Sequence, residues 1–169
     1  EIEGYEADDI IATYCKLAEK QKIDSIIVSS DKDLMQLVTK DITMLDPMKN
    51  KKIGIDQVIE KFGLPPEKVI QIQALTGDKV DNIPGAPGIG PKTALQLIEE
   101  FGDVHKLIEN ANKIPQEKRR NIIVDHKEDI LVSLELVKLK DDIKLPIDIN
   151  KIHTYSSINK NDNLSKFLS

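Results

Sequence analysis

Three groups of carboxylates stand apart from the rest of the chain. They are Glu6, Asp8 and Asp9; Asp31 and Asp33; and Asp78 and Asp81 in the run Thr76-Gly77-Asp78-Lys79-Val80-Asp81-Asn82. Each alone has an ordinary explanation. Acids in the first turn of a helix favour its macrodipole, and Asp is a common turn residue. Brought together, they repel one another unless something neutralises them. Hard cations with oxygen ligands do this best, and magnesium keeps several of its waters, so a few carboxylates suffice for each ion. Two such ions about 3.5–4 Å apart clamp the attacking and leaving oxygens of a phosphodiester displacement. No other constellation competes. His105, His126 and His153 are scattered without ligand spacing, and Cys15 falls beside an apolar helical stripe, where it reads as core.

A second signal is Ile83-Pro84-Gly85-Ala86-Pro87-Gly88-Ile89-Gly90-Pro91-Lys92-Thr93-Ala94. Its glycines and prolines make a tight turn feeding a helix that starts at Pro91, the favoured first helical position. Gly88 and Gly90 leave the backbone open to close approach. The N–H groups at the helix start form an anion site, to which Lys92 adds charge. The pattern suits a DNA phosphate held by backbone amides, without base reading; the alternative is a plain helix–helix connector. The G-x-x-x-x-G-K-[ST] order of a nucleotide-binding loop is absent. Lys32, Lys49, Lys51 and Lys52 are further candidate phosphate contacts, or else solvated surface charges. Residues 113–127, with Arg119 and Arg120, read as a solvated helix face.

The elements that must position these residues follow from periodicity. Residues 6–21 read as an amphipathic helix with Ala7, Ile10, Ile11, Tyr14, Leu17 and Ala18 on one buried stripe. The β-branched run 23–30 reads as a buried parallel strand, followed by a short helix at 34–38 and a strand at 42–45 that Asp46-Pro47 ends. Helices alternating with strands are the repeat of an α/β domain with a parallel sheet, in which ligands bind outside the carboxyl ends of the strands. Asp31 and Asp33 lie at that edge. Beyond residue 53 the pattern becomes helical, with helices at 55–62, 66–76, 91–101, 104–111, 116–123 and 127–136. Residues 146–149 read as an extended segment, and 155–163 as a loop.

Composition sets the outer bounds. The chain has 169 residues, is 40% hydrophobic and 31% charged, and carries 24 basic against 29 acidic residues for a net charge of −5. It has one cysteine, which excludes an internal disulfide framework and a four-cysteine zinc site. No apolar run approaches the roughly 20 residues that span a bilayer, and no signal peptide is visible at the acidic N-terminus. A cytoplasmic protein without a membrane partner is the plain expectation. An acidic chain argues against a nucleic-acid partner, unless the acids are concentrated. Seven of the 29 belong to the three groups, and without them basic residues slightly outnumber acids.

The motifs Gly4-Tyr5-Glu6-Ala7-Asp8-Asp9, Ser30-Asp31-Lys32-Asp33-Leu34, Leu75-Thr76-Gly77-Asp78-Lys79-Val80-Asp81-Asn82-Ile83-Pro84-Gly85 and Gly88-Ile89-Gly90-Pro91-Lys92-Thr93-Ala94 resemble the bacterial 5′-nuclease family. This family comprises the 5′→3′ exonuclease domain of DNA polymerase I and its flap-endonuclease relatives. Order and spacing agree through nearly the whole chain. The resemblance implies an α/β fold: a partial PIN-like (Rossmann-like) parallel-sheet nuclease domain at 1–54, a helix–three-turn–helix DNA-binding domain at 55–145, and a C-terminal extension at 146–169. It implies that Glu6, Asp8, Asp9, Asp31, Asp33, Asp78 and Asp81 are ligands of two Mg2+ or Mn2+ ions, with Asp31, Asp33 and Asp78 catalytic. It further implies that Gly85, Gly88, Ile89, Gly90, Lys92 and Thr93 grip the duplex backbone, with a K+ ion at the hairpin. The expected partner is DNA with a 5′ flap, a nick or an RNA primer, bound by a monomer during replication and repair.

A complete member of the family begins with an apolar strand ending in a metal-binding Asp, then a second Asp and a basic helical arch. None of these precedes Glu1. The resemblance is therefore to the C-terminal part of a nuclease domain, and the missing strand is expected to leave Ile26, Ile27 and Val28 exposed. A DNA-binding module without catalysis is the rival reading. A PIN-type RNase is a second rival, against which the hairpin weighs.

Overall fold

The computed structural model describes residues 2–151. The two apolar β-branched runs form β1 (Ser25–Val28) and β2 (Ile42–Asp46), which pair in parallel with Ile27 beside Met44 and Val28 beside Leu45. The sheet is mixed rather than purely parallel. An antiparallel strand, β3 (Lys51–Ile53), adds to β2 with Ile53 beside Met44. Its three residues include two lysines, so no apolar alternation announces it. Asp46 shapes the connection, because its Oδ1 accepts the N–H groups of Met48 (3.0 Å) and Lys49 (3.1 Å).

The expected helix at 34–38 is a 3₁₀ turn, Asp33–Leu37. Its Leu34 and Met35 are buried with Ile27, Ile42, Met44 and Ile53 in the first of two cores. The helix α1 (Ala7–Lys20) lies beside this core, but its buried face is not the expected stripe. Ala12, Thr13, Cys15 and Ala18 are buried, Ala7 is exposed, and Ile10, Ile11, Tyr14 and Leu17 are half-covered. The helix is turned so that part of its apolar surface, with Ile11 and Tyr14, lines an open trough beside β1. Strand alternation decides what else faces outward. Ile26 and Val28 are 65% and 63% exposed, as expected, whereas Ile27 points into the core at 5%.

The remaining helices are α2 (Ile55–Phe62), α3 (Val69–Thr76), α4 (Pro91–Phe101), α5 (Val104–Glu109), α6 (Glu117–Asp125) and α7 (Lys127–Val137). Proline and glycine bound them. Pro91 opens α4, and Gly63 and Gly102 follow α2 and α4. The expected helix at 66–76 starts as a 3₁₀ turn, Pro66–Lys68, and that at 104–111 ends at Glu109. Arg119 and Arg120 are not simply solvated. Arg120 donates to the Ile114 carbonyl at 3.0 Å and Arg119 to Gln96 Oε1 at 3.4 Å.

A second core, with Ile72, Leu75, Ile98, Leu107, Ile123 and Ile130, fills the helical half. The short helix α3 serves both cores: Val69 packs in the first, Ile72 and Leu75 in the second. It is apolar nearly all round, as a helix buried on all sides must be. The expected division at 54/55 falls before α2, yet Val58 of α2 is buried in the α/β core.

After α7 the chain returns across α1. Lys140 N–H donates to Asp9 Oδ1 at 2.9 Å, Lys16 pairs with Asp141 at 2.6 Å, and Tyr14 O–H donates to the Ile147 carbonyl at 2.9 Å. The segment expected to be extended at 146–149 leads instead into a 3₁₀ turn at Ile149–Lys151. The loop expected at 155–163 lies outside the described residues. Among the described residues no helix is long and apolar enough to cross a membrane.

Candidate metal centre and nucleic-acid interface

Asp31, Lys32 and Asp33 follow β1 at its carboxyl end. Their loop is folded by its own polar groups: Asp31 N–H donates to Ser29 Oγ (3.0 Å), and Asp33 N–H to Asp31 Oδ1 (2.9 Å). Two contacts tie this loop to the helical half. The Gln73 side-chain amide of α3 donates to Asp33 Oδ1, and Lys32 Nζ pairs with Asp78 Oδ2 in the loop after α3. Asp78 Oδ1 also accepts Val80 N–H at 2.8 Å. The hydrogen bond from Lys32, above all, holds the Asp78 carboxyl below its ordinary range, and Asp78 in turn raises Lys32.

The acids of α1 divide. Asp9 turns toward the returning chain, accepting Lys140 N–H through one oxygen and Glu6 N–H (3.4 Å) through the other. Asp8 turns toward the strand edge. Its carboxyl is pushed up by burial first, then by the charges of Asp31, Asp33, Glu6 and Asp9. The Asp33 carboxyl is likewise raised by burial first and by Asp31 next, with a further contribution from Asp81.

The fold thus brings Asp8, Asp31 and Asp33 within electrostatic reach of one another, with Asp81 reaching Asp33. It directs Asp9 to a backbone amide and Asp78 to a lysine. Among the described residues, no three carboxylates stand close enough to hold one ion jointly. The donor set still has the chemistry of a hard-cation site. It is all carboxylate oxygen, and the Asp8 and Asp33 carboxyls are raised by burial first and then by neighbouring carboxylates, a repulsion that a divalent ion relieves.

The hairpin begins in the same loop. Gly77 and Gly85 both hold positive φ, and the Ala86 N–H donates to the Leu75 carbonyl at 2.8 Å. Two of the residues expected to touch DNA face inward. Ile89 is buried in the second core, where it anchors the turn, and Gly85 is buried with its N–H donated to Ser133 Oγ. Gly88, Gly90 and Lys92 are exposed, and Thr93 is half-buried. Nothing lies within 4 Å of where a Cβ on Gly90 would stand. Thr93 and Ala94 donate their N–H groups to the Gly90 carbonyl (3.0 and 2.9 Å), so these two amides at the start of α4 are turned into the helix.

A cavity of about 250 Å³ joins the two regions, lined by Lys32, Asp33, Lys61, Gln73 and Asp78, and also by Pro91 at the start of α4. Lys61 there is depressed by burial first, then by the nearby charges of Lys49 and Lys32. Two of these polar side chains, Gln73 and Lys61, lie outside the sequence motifs of the site, as does Ser133 behind the hairpin. The available signal was a polar residue set among apolar ones. Gln73 sits between Ile72 and Ala74, and Ser133 shares a helical stripe with Ile130, Leu134 and Val137.

Residues 1–63 match the 5′-3′ exonuclease N-terminal resolvase-like domain, and residues 64–161 match the 5′-3′ exonuclease C-terminal SAM fold. The chain is 56% identical to DNA polymerase I of Rhizobium leguminosarum over 152 residues, which is 90% of this chain and 15% of that protein. It is 40% identical to a 5′-3′ exonuclease of Aquifex aeolicus over 147 residues, 87% of this chain and 50% of that one. Among solved structures, T5 D15 protein co-crystallized with metal ions superposes with a TM-score of 0.77 at 28% identity, covering 83% of this chain and 52% of that one. T5 5′-exonuclease with bound zinc gives the same TM-score. The chain therefore spans about half or less of the length of these relatives. Both halves match in their expected order, and the chain belongs to the 5′-3′ exonuclease family.

Proposed function

We propose that the whole protein is a structure-specific 5′ nuclease that hydrolyses DNA phosphodiesters at a 5′ flap, a nick or an RNA primer. One observation carries the reading. The acid edge after β1 and the start of α4 line one cavity, so a backbone phosphate near the hairpin lies next to the carboxylates. Glu6, Asp8, Asp9, Asp31, Asp33, Asp78 and Asp81 would hold two Mg2+ or Mn2+ ions, which supply charge neutralisation and an activated water when bound. The chain's own groups do the rest. Gly88 and Gly90 admit the sugar–phosphate backbone, Lys92 and Thr93 lie beside it, and a K+ ion at the hairpin completes the grip. Lys32 and Lys61 set positive charge at the cavity wall. No protein nucleophile is required. The protein works as a monomer in the cytoplasm.

Asp31→Ala in the whole protein tests this reading. Magnesium-dependent cleavage of a 5′-flapped duplex should fall about a hundredfold or more, while binding in calcium persists. Unchanged cleavage rejects the site.

A second reading has its own support in the Lys32–Asp78 pair and the separated carboxylates. In it, this chain alone binds duplex DNA without cutting. A gel shift in calcium beside a cleavage assay in manganese separates the two. Binding without cleavage favours the second, and affinity in either case should fall with added salt.

A further inference from the structure

The loop carrying Asp78 and Asp81 and the turn that opens the hairpin are one closed piece of backbone. Asp78 and Ile83 bond each other through both main-chain pairs, at 3.0 and 2.7 Å. Beneath that bridge Gly77 and Gly85 lie back to back. A Cβ on Gly85 would stand 2.4 Å from Gly77 N, and one on Gly77 would stand 2.6 Å from the Ile83 carbonyl oxygen.

One hydroxyl reaches this junction from outside the loop. Ser133 of α7 is fully buried, accepts Gly85 N–H at 2.8 Å, and donates its own proton to the Asp129 carbonyl at 2.7 Å. With its proton committed to Asp129, the oxygen presents a lone pair to Gly85. A serine that served only its own helix would be out of place here. Alanine is the better helix former, and back-bonding to the preceding turn slightly destabilises a helix.

We propose that Ser133 is a positioning residue whose hydroxyl, by fixing Gly85 N–H, sets the acid loop and the hairpin in one geometry. The inference rests on the reading that these two segments hold a metal ion and the DNA backbone. Ser133 touches neither, yet holds the point where the two segments meet.

Ser133→Ala and Ser133→Cys in the 169-residue chain test it, by amide hydrogen exchange and by gel shift of a 5′-flapped duplex in calcium. In the alanine variant, exchange at Asp78, Ile83, Gly85 and Ala86 should quicken about tenfold, with Leu97 and Leu107 unchanged and DNA affinity lowered about tenfold. The cysteine variant, close in volume and a weaker acceptor, should fall between, and it carries the test should the alanine variant unfold. Unchanged exchange at Gly85 overturns the proposal, as does quickened exchange with unchanged DNA binding. Uniformly faster exchange through the helical half also overturns it, since that marks packing alone. If the unsubstituted chain fails to shift the duplex, the DNA-binding reading fails instead. The proposal is then decided by exchange, and acceleration confined to Gly85 overturns it.

Discussion

Lys32 reaches from the loop after β1 to Asp78 in the loop after α3, and its ammonium offsets charge in a region where burial and neighbouring carboxylates raise Asp8 and Asp33. Gln73 adds a neutral donor to the same edge. Away from the site, Cys15 shows burial dominating an ionisable group. Loss of solvent, with a smaller contribution from Glu19, pushes its thiol up to about 11. Because the thiolate is the reactive form, a thiol reagent at neutral pH should leave the folded chain unmodified and label one cysteine after denaturation. Rapid labelling of the native chain contradicts that environment. Residue types announced the acids, because seven carboxylates fall in three short runs. Their partners could not be read the same way. Asp9 meets Lys140 and Asp78 meets Lys32 across 131 and 46 residues, and no local pattern encodes such distances.

At the level of elements, punctuation decided what was legible. Helices α2 and α4 are bounded by Gly and Pro, and both begin and end where their sequence signals place them. β3 lacks any such signal, and the phase of α1 departs from its apolar stripe because part of that stripe faces the trough beside β1 rather than the core. The start of α5 illustrates a cap with a measurable consequence. Asp103 Oδ1 accepts Lys106 N–H at 2.8 Å, and that bond holds the carboxyl below its usual range. A depressed folded pKa contributes stability that is present above the unfolded value of about 3.9 and is lost as pH falls through the folded value. Asp103→Ala should therefore cost about 1 kcal/mol at neutral pH. The gap between variant and parent in urea midpoint should close as the solution is acidified below that range. A gap that persists in acid would mean the carboxylate is not the cap.

Across the described residues, the two cores are joined by α3, Phe62 of α2, the Lys32–Asp78 pair, and the chain returning after α7. Gln36 is a hinge pin of the last. Its amide donates to the Asp33 carbonyl (2.9 Å) and the Val137 carbonyl (3.0 Å), and its Oε1 accepts Leu139 N–H (3.3 Å). Gln36→Leu leaves those groups without their partner and should cost about 1–3 kcal/mol. Amide exchange should quicken first in α1 and in residues 138–151, ahead of α4 and α5. Simultaneous loosening of both halves would show that the joint lies elsewhere.

The contact between Lys140 and Asp9 also has a meaning in time. A ribosome adds roughly 5–20 residues each second, and 131 positions separate the two partners. On that scale Asp9 waits roughly 7–26 seconds for its amide. Throughout that interval the acidic start of α1 lacks the partner that closes it. The start of α1 is therefore tied down only after α7 has been made.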